Sequence, residues 1–226
     1  MPEAPCCASG IAFFRVARSS SALLLASMAG VPLKLIVGLG NPGDEYARTR
    51  HNAGFWFIEE LARRHGGVFR HESKHQGELA RVRILDTDIW LLKPMTFMNR
   101  SGGPTRSVAN FYKVPVEEIL VAHDELDFPA GVVKLKQGGG AAGNNGITDV
   151  MAQMGADFWR LRLGVGKPPN TGIDHVLSRP TAAEERAIRE CIAESIEAVP
   201  VILEHGGQRA MNRLHTRAAP PAATED

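Results

Sequence analysis

An imidazole and a carboxylate in separate motifs are the groups of this 226-residue chain best suited to acid–base chemistry: His51 in Thr49-Arg50-His51-Asn52, and Asp124 in His123-Asp124-Glu125. Imidazole titrates near neutral pH, and a carboxylate partner fixes its tautomer and stabilises the cation that forms. Amides surround this pair in the sequence. Asn41 lies in Gly38-Leu39-Gly40-Asn41-Pro42-Gly43, Asn99 in Thr96-Phe97-Met98-Asn99, and Asn145 in a glycine-rich run from Gly138 to Gly146. Amides of this kind can donate to a developing oxyanion or read a peptide backbone. A nucleophile is harder to find. There is no Gly-x-Ser-x-Gly elbow, and Cys6, Cys7 and Cys191 have neither metal-ligand spacing nor a disulfide framework. The economical chemistry is a His–Asp pair activating water, with no metal and no cofactor.

The loop carrying Asn41 admits a rival reading. Gly38-x-Gly40-x-x-Gly43 after an apolar run formally matches a dinucleotide-binding fingerprint. Pro42 counts against it, because proline offers no backbone N–H where a phosphate loop needs donors. The acid that holds the ribose should end a second strand about 20 residues on. Here Glu59 and Glu60 fall inside residues 55–66, a helical pattern closed by glycine. Acid–base chemistry on a polar substrate is the better reading of the loop.

Apolar periodicity supplies the elements that must position these groups. Leu33-Lys34-Leu35-Ile36-Val37 reads as a buried strand with a tight, glycine-rich exit. Residues 78–85 alternate polar and apolar, Asp86-Thr87 makes a turn, and residues 88–93 return as a hairpin that Pro94 ends. Ser101 is placed to cap a helix through Val108, Phe111 and Tyr112. Ile119-Leu120-Val121-Ala122 is a buried strand ending at His123-Asp124-Glu125. Residues 132–136 and 160–165 read as further strands, the latter with Arg160 and Arg162 on one face. Thr181 and Glu184 form a capping box opening a long helix, which Pro200 is expected to kink or break. Strands alternating with helices around a hairpin predict a single α/β domain with a mixed, mostly parallel sheet flanked by helices. Ligands in such sheets sit beyond the carboxyl ends of the strands, so the polar clusters should line one cleft.

The bulk composition agrees. Hydrophobic residues make up 44% and charged residues 23%, enough apolar material for a real core. Net charge is only +1, so nucleic-acid binding would have to come from a local patch. No apolar run approaches the ~18 residues of a membrane helix, so no membrane partner is expected. Residues 1–32 contain Arg15, Arg18 and Ser19-Ser20-Ser21 but one acid, Glu3, which suits a disordered extension or an organellar transit segment. The domain is expected over residues 33–216, with a flexible tail over 217–226.

Several long stretches resemble the bacterial-type peptidyl-tRNA hydrolase family. They are residues 34–43, Tyr46 with Thr49-Arg50-His51-Asn52-Ala53-Gly54, Lys93-Pro94-Met95-Thr96-Phe97-Met98-Asn99, His123-Asp124-Glu125-Leu126-Asp127, and the closing Met211-Asn212-Arg213-Leu214-His215. The resemblance implies an α/β fold and hydrolysis of the ester of peptidyl-tRNA. It makes His51 the general base, Asp124 its partner, and Asn41 the residue that senses the substrate's peptide group. Tyr46, Phe97, Asn99 and Asn145 would contact the tRNA 3′ end or the peptide, and Lys134, Lys136 and Arg162 would meet phosphates. The implied partner is peptidyl-tRNA and the implied protein a cytoplasmic monomer, or an organellar one if residues 1–32 are a transit segment. One departure stands out: the family's glycine loop usually has histidines near Ala141 and Asn144 and a glycine near Ala142. A stiffer, less polar loop is expected from these differences, with the His–Asp pair untouched.

Blander roles accompany these. His123 reads as a neighbour of the site, and His65, His71, His75 and His205 as ordinary surface or core histidines. Tyr46 and Phe97 also suit a core, and Lys134 and Lys136 a solvated strand face. A second function class is an RNA-binding relative without catalysis, resembling the family's plant-organelle splicing cofactor. Retention of Asn41, His51 and Asp124 together favours the enzyme.

Overall fold

The computed structural model describes residues 30–167 and 172–216. The first apolar run forms β1 (Leu35–Gly38), the hub of a seven-stranded sheet. The other strands are β2 (Arg70–Glu72), β3 (Gly77–Ile84), β4 (Thr87–Pro94), β5 (Ile119–Glu125), β6 (Val133–Gln137) and β7 (Trp159–Gly164). Their order is β2-β3-β4-β1-β5-β7-β6. The four central strands β4, β1, β5 and β7 pair in parallel, while β2–β3, β3–β4 and β6–β7 pair antiparallel. The sheet is therefore mixed and mostly parallel, with only β3 and β6 reversed.

Period-two alternation divides the core into two layers. Ile36, Leu120 and Ala122 face α1 (Ala53–Arg64), α5 (Ala182–His205) and α6 (Gly207–His215). Leu35, Val37 and Val121 face α2 (Gly102–Tyr112) and α3 (Asn145–Met154). A short helix, α4 (Gly172–Val176), precedes α5. Val31 already packs on the core and its N–H donates to the Ile202 carbonyl at 2.9 Å, so the packed domain begins slightly before Leu33. The extension proposed for residues 1–32 falls mostly outside the described residues, as does the tail over 217–226.

Three local expectations need correction. The hairpin turn is Leu85-Asp86, since Ile84 and Thr87 still pair, and Leu85 takes a positive φ of 53°. Ser101 makes no capping bond; its hydroxyl turns back to the Met98 carbonyl, and the Asp149 carboxylate accepts from the Gly102 N–H at 2.6 Å instead. A carboxylate arriving from α3 serves the orphan N–H groups and favours the positive end of the helix dipole, which local sequence cannot announce. Pro200 does not break α5, which continues to His205 with Ala198, Val199 and Ile202 buried around it. Burial against the sheet outweighs the one backbone bond that proline removes. The Thr181–Glu184 capping box forms as expected, with bonds of 3.3 and 2.7 Å.

One contact controls how closely α1 approaches the sheet. Gly54 lies in its first turn, and a Cβ there would collide with the carbonyl oxygens of Ala122 and Leu39. Exchanging a helical glycine for alanine ordinarily gains about 1 kcal/mol. Collision with rigid backbone in a packed core costs about 1–3 kcal/mol, so the collision wins. Gly54→Ala should lower the urea midpoint and the Tm. An unchanged or raised Tm would show that α1 stands further off the sheet.

Candidate active site

The cleft forms where β1 and β5 end, and its side chains arrive from five segments. The exit loop of β1 supplies Asn41, and the single turn Arg50–Asn52 directly before α1 supplies His51. Asp124 sits within β5, one residue before its end, in the segment where the sequence placed the end of the strand. By alternation Asp124 shares the face of Leu120 and Ala122, toward the start of α1. The turn Met98–Arg100 supplies Asn99, and the first residue of α3 supplies Asn145. All five line one cleft of about 550 Å³.

His51 Nδ1 lies 3.0 Å from Asp124 Oδ2, with the imidazole 13% exposed and the carboxylate 3%. Burial pushes the imidazolium pKa down, but the Asp124 charge and its hydrogen bond more than offset this, so the His51 pKa lies above the usual histidine value. With Nδ1–H donated to the carboxylate, Nε2 is the basic atom left for the cleft. The Asp124 side chain has a second partner, since Asn144 Nδ2 donates to Oδ1 at 3.0 Å. The glycine-loop departure at Asn144 thus touches the His–Asp pair directly, contrary to the expectation of independence. Asn144 also caps α3, accepting from the Ile147 N–H at 3.1 Å.

Asn41 is 7% exposed and firmly held. Its Oδ1 accepts from the Met98 N–H at 2.8 Å, so its Nδ2 is the group left to donate into the cleft. Asn52 fixes the loop from below: its Oδ1 accepts from the Asn41 N–H at 2.8 Å and its Nδ2 donates to the Asn41 carbonyl at 3.0 Å. Sequence reasoning missed Asn52, whose place beside His51 gave no sign of a bond eleven residues back.

The remaining residues divide. Phe97 is 57% exposed on the rim, and Tyr46 meets it edge-on with ring centroids 6.3 Å apart. Asn99 and Asn145 are exposed in the cleft wall, opposite apolar Leu126, Ile173, Val176 and Leu177. Lys134, Lys136 and Arg162 are not in the cleft; they lie on β6 and β7 at the sheet edge. Lys134 faces Arg162 across the strands, and both stack on the Phe128 ring at 4.8 and 4.4 Å. Arg162 already donates to the buried Glu125 carboxylate at 2.8 Å, whereas Lys134 and Lys136 are exposed. His123 is fully buried and held below its usual pKa by that burial, so it stays neutral away from the cleft.

Arg50 is the second residue that sequence reasoning missed. Its guanidinium donates to the Ser178 hydroxyl at 2.7 Å, to the Arg179 carbonyl at 2.9 Å and to Glu184 at 2.6 Å. It ties the segment after α4, and with it the apolar wall, to the turn that carries His51.

A buried His–carboxylate pair in an amide-lined cleft at the strand ends of a single α/β domain is an arrangement suited to acid–base chemistry. The family model for peptidyl-tRNA hydrolase matches residues 35–222. A curated peptidyl-tRNA hydrolase from Cupriavidus necator is 51% identical over 195 residues, covering 81% of this chain and 98% of that one. One from Neisseria gonorrhoeae is 50% identical over 188 residues, covering 82% and 98%. The crystal structure of peptidyl-tRNA hydrolase from Acinetobacter baumannii superimposes with a TM-score of 0.80 at 42% identity, covering 84% of this chain and 98% of that one. The chain belongs to the peptidyl-tRNA hydrolase family.

Removing the Arg50 clamp should loosen the apolar wall before anything else. Arg50→Met removes the guanidinium bonds to Glu184, to the Ser178 hydroxyl and to the carbonyls of His175, Ser178 and Arg179, at a cost on the order of 2 kcal/mol. Hydrogen exchange should quicken at Ile173 to Ser178 while the central strands stay protected. Equal protection of that segment in both proteins would show that the clamp does not hold the wall.

Proposed function

We propose that this chain hydrolyses the ester joining a peptide to the 3′-terminal ribose of tRNA, with His51 as general base. The observation that carries the reading is the 3.0 Å His51–Asp124 bond in a cleft walled by amides. His51 Nε2 takes a proton from water as the water oxygen attacks the ester carbonyl. Asp124 stabilises the imidazolium so formed. Asn41 Nδ2 is placed to donate to a substrate carbonyl or to the oxyanion. The imidazolium then returns the proton to the departing ribose oxygen as the carbon–oxygen bond breaks, releasing peptide acid and tRNA.

The same cleft supports selectivity. A peptidyl ester carries an amide carbonyl that a free aminoacyl ester lacks, and a donor such as Asn41 can register it. Asn99 and Asn145 offer further amides to the peptide or to the terminal nucleotide. Phe97 and Tyr46 present aromatic surface on which an unstacked base can lie. Lys134 and Lys136 are our assignment for phosphate contacts, with Arg162 beside them but its charge compensated by Glu125. The substrate is made by translation, so we place the protein in the cytoplasm, acting as a monomer without metal or cofactor.

His51→Ala should lower kcat on an N-acetylated aminoacyl-tRNA by about 10²–10⁴-fold, with tRNA binding nearly unchanged. Near-normal turnover would reopen the search for a nucleophile. The base is active when neutral, so the wild-type rate should rise with pH through a pKa above the ordinary histidine value. Asp124→Asn removes both influences that raise that pKa and leaves the burial that lowers it. The rising limb should therefore move to lower pH and reach a reduced plateau; a limb that stays in place would separate Asp124 from the base.

Asn41→Asp keeps an acceptor for the Met98 N–H but removes the donor aimed into the cleft. Discrimination between acetylated and free aminoacyl-tRNA, taken as the ratio of the two kcat/KM values, should fall by roughly tenfold or more. A preserved ratio would assign peptide recognition to another group.

A further inference from the structure

Asn144 joins two structures through one amide. Its Oδ1 accepts from the Ile147 N–H at 3.1 Å and caps α3. Its Nδ2 donates to Asp124 Oδ1 at 3.0 Å and to the Asp124 carbonyl at 3.3 Å. This amide cannot be turned over, because flipping would set its oxygen against a carboxylate and its NH₂ against a backbone N–H. Asp124 is thereby held at both oxygens, Oδ1 by Asn144 and Oδ2 by His51. A carboxylate held at one oxygen is free to swivel; the second bond aims Oδ2 at the imidazole. Donation by Asn144 also draws charge from the carboxylate, which limits how strongly Asp124 favours the imidazolium.

We propose that Asn144 is a positioning residue for the His51–Asp124 pair, orienting the carboxylate and setting the basicity of His51 from the start of α3. Its catalytic consequence rests on the hydrolase reading above. Substrate that displaces Gly143 or Asn145, both in the cleft wall, would be felt at Asp124 through this amide. The other charged and titratable groups around the carboxylate are engaged elsewhere. His123 Nδ1 meets the Asp124 backbone carbonyl at 2.8 Å, and Glu125 pairs with Arg162 on β7 at 2.8 Å. Arg50, next to His51 in sequence, turns its guanidinium to Ser178 and Glu184.

Two variants separate this role from plain capping. Asn144→Ser keeps a cap for α3 but is too short to reach Asp124. Asn144→Asp also keeps the cap while setting a second negative charge against the carboxylate. The His51 pKa, followed by NMR titration of the imidazole in the full chain, should rise by about one unit in Asn144→Asp and by less in Asn144→Ser. On an N-acetylated aminoacyl-tRNA, kcat should fall about tenfold or more in both, KM should change less, and the rising limb should move to higher pH. The Tm should stay within a few degrees of wild type, since either residue caps a helix. Wild-type pKa and kcat in both variants would reduce Asn144 to a cap and overturn the inference. A pKa that moves in a wild-type background inactive on the acylated tRNA would instead overturn the hydrolase reading and leave the positioning role standing.

Discussion

The close approach of α1 to the ends of β1 and β5 is the constraint on which the His51–Asp124 contact depends. Gly54 lies against the Ala122 and Leu39 carbonyls, and the last residue of β1, Gly38, lies in turn against the Gly54 carbonyl. Side chains at these two positions would force the helix outward. His51 belongs to the turn that leads directly into α1, and Asp124 follows Ala122 by two residues on β5. A hydrogen bond of 3.0 Å tolerates little displacement, so the helix–sheet distance constrains the His51–Asp124 distance.

Polar groups in and under the cleft are apportioned between structure and chemistry. Asn52 is spent entirely on the backbone of Asn41, and Arg50 on the segment behind the apolar wall. Asn41 spends its oxygen on Met98 and keeps its NH₂ for the cleft. Partial satisfaction of this kind preorganises a donor, because the amide arrives already oriented and loses little freedom when substrate binds. At the sheet edge the cations are divided likewise: Arg162 is engaged by Glu125, and the two lysines keep solvent-facing charge. With a net charge of only +1, any phosphate contact would have to rest on a local patch such as these two exposed lysines.

The elements were legible in the sequence wherever a strong local rule operated. Alternation marked the hairpin, a capping box marked the start of α5, and glycine marked the end of α1, where Gly66 takes a φ of +68°. Local rules failed where a distant group took over their task. Asp149 displaced Ser101 as cap of α2, and the packed surroundings of Pro200 carried α5 through a residue that should interrupt it. A propensity of about 1 kcal/mol is easily overridden by burial of several side chains.

By itself the sequence determined the chemical alphabet of this protein: one imidazole, one carboxylate and several amides in motifs dense enough to resemble a single family, with strands and helices in an order that implies a mixed sheet. Tertiary structure decided which of those groups face one another. His51 and Asp124 are 73 residues apart, Asn144 reaches Asp124 from 20 residues on, and Arg50 reaches Glu184 across 134. The physical reason is the range of the interactions. Hydrophobic periodicity and caps are written within a few residues of chain, whereas a directional bond a few ångströms long between remote segments exists only after the sheet order and the helix–sheet distance have brought them together.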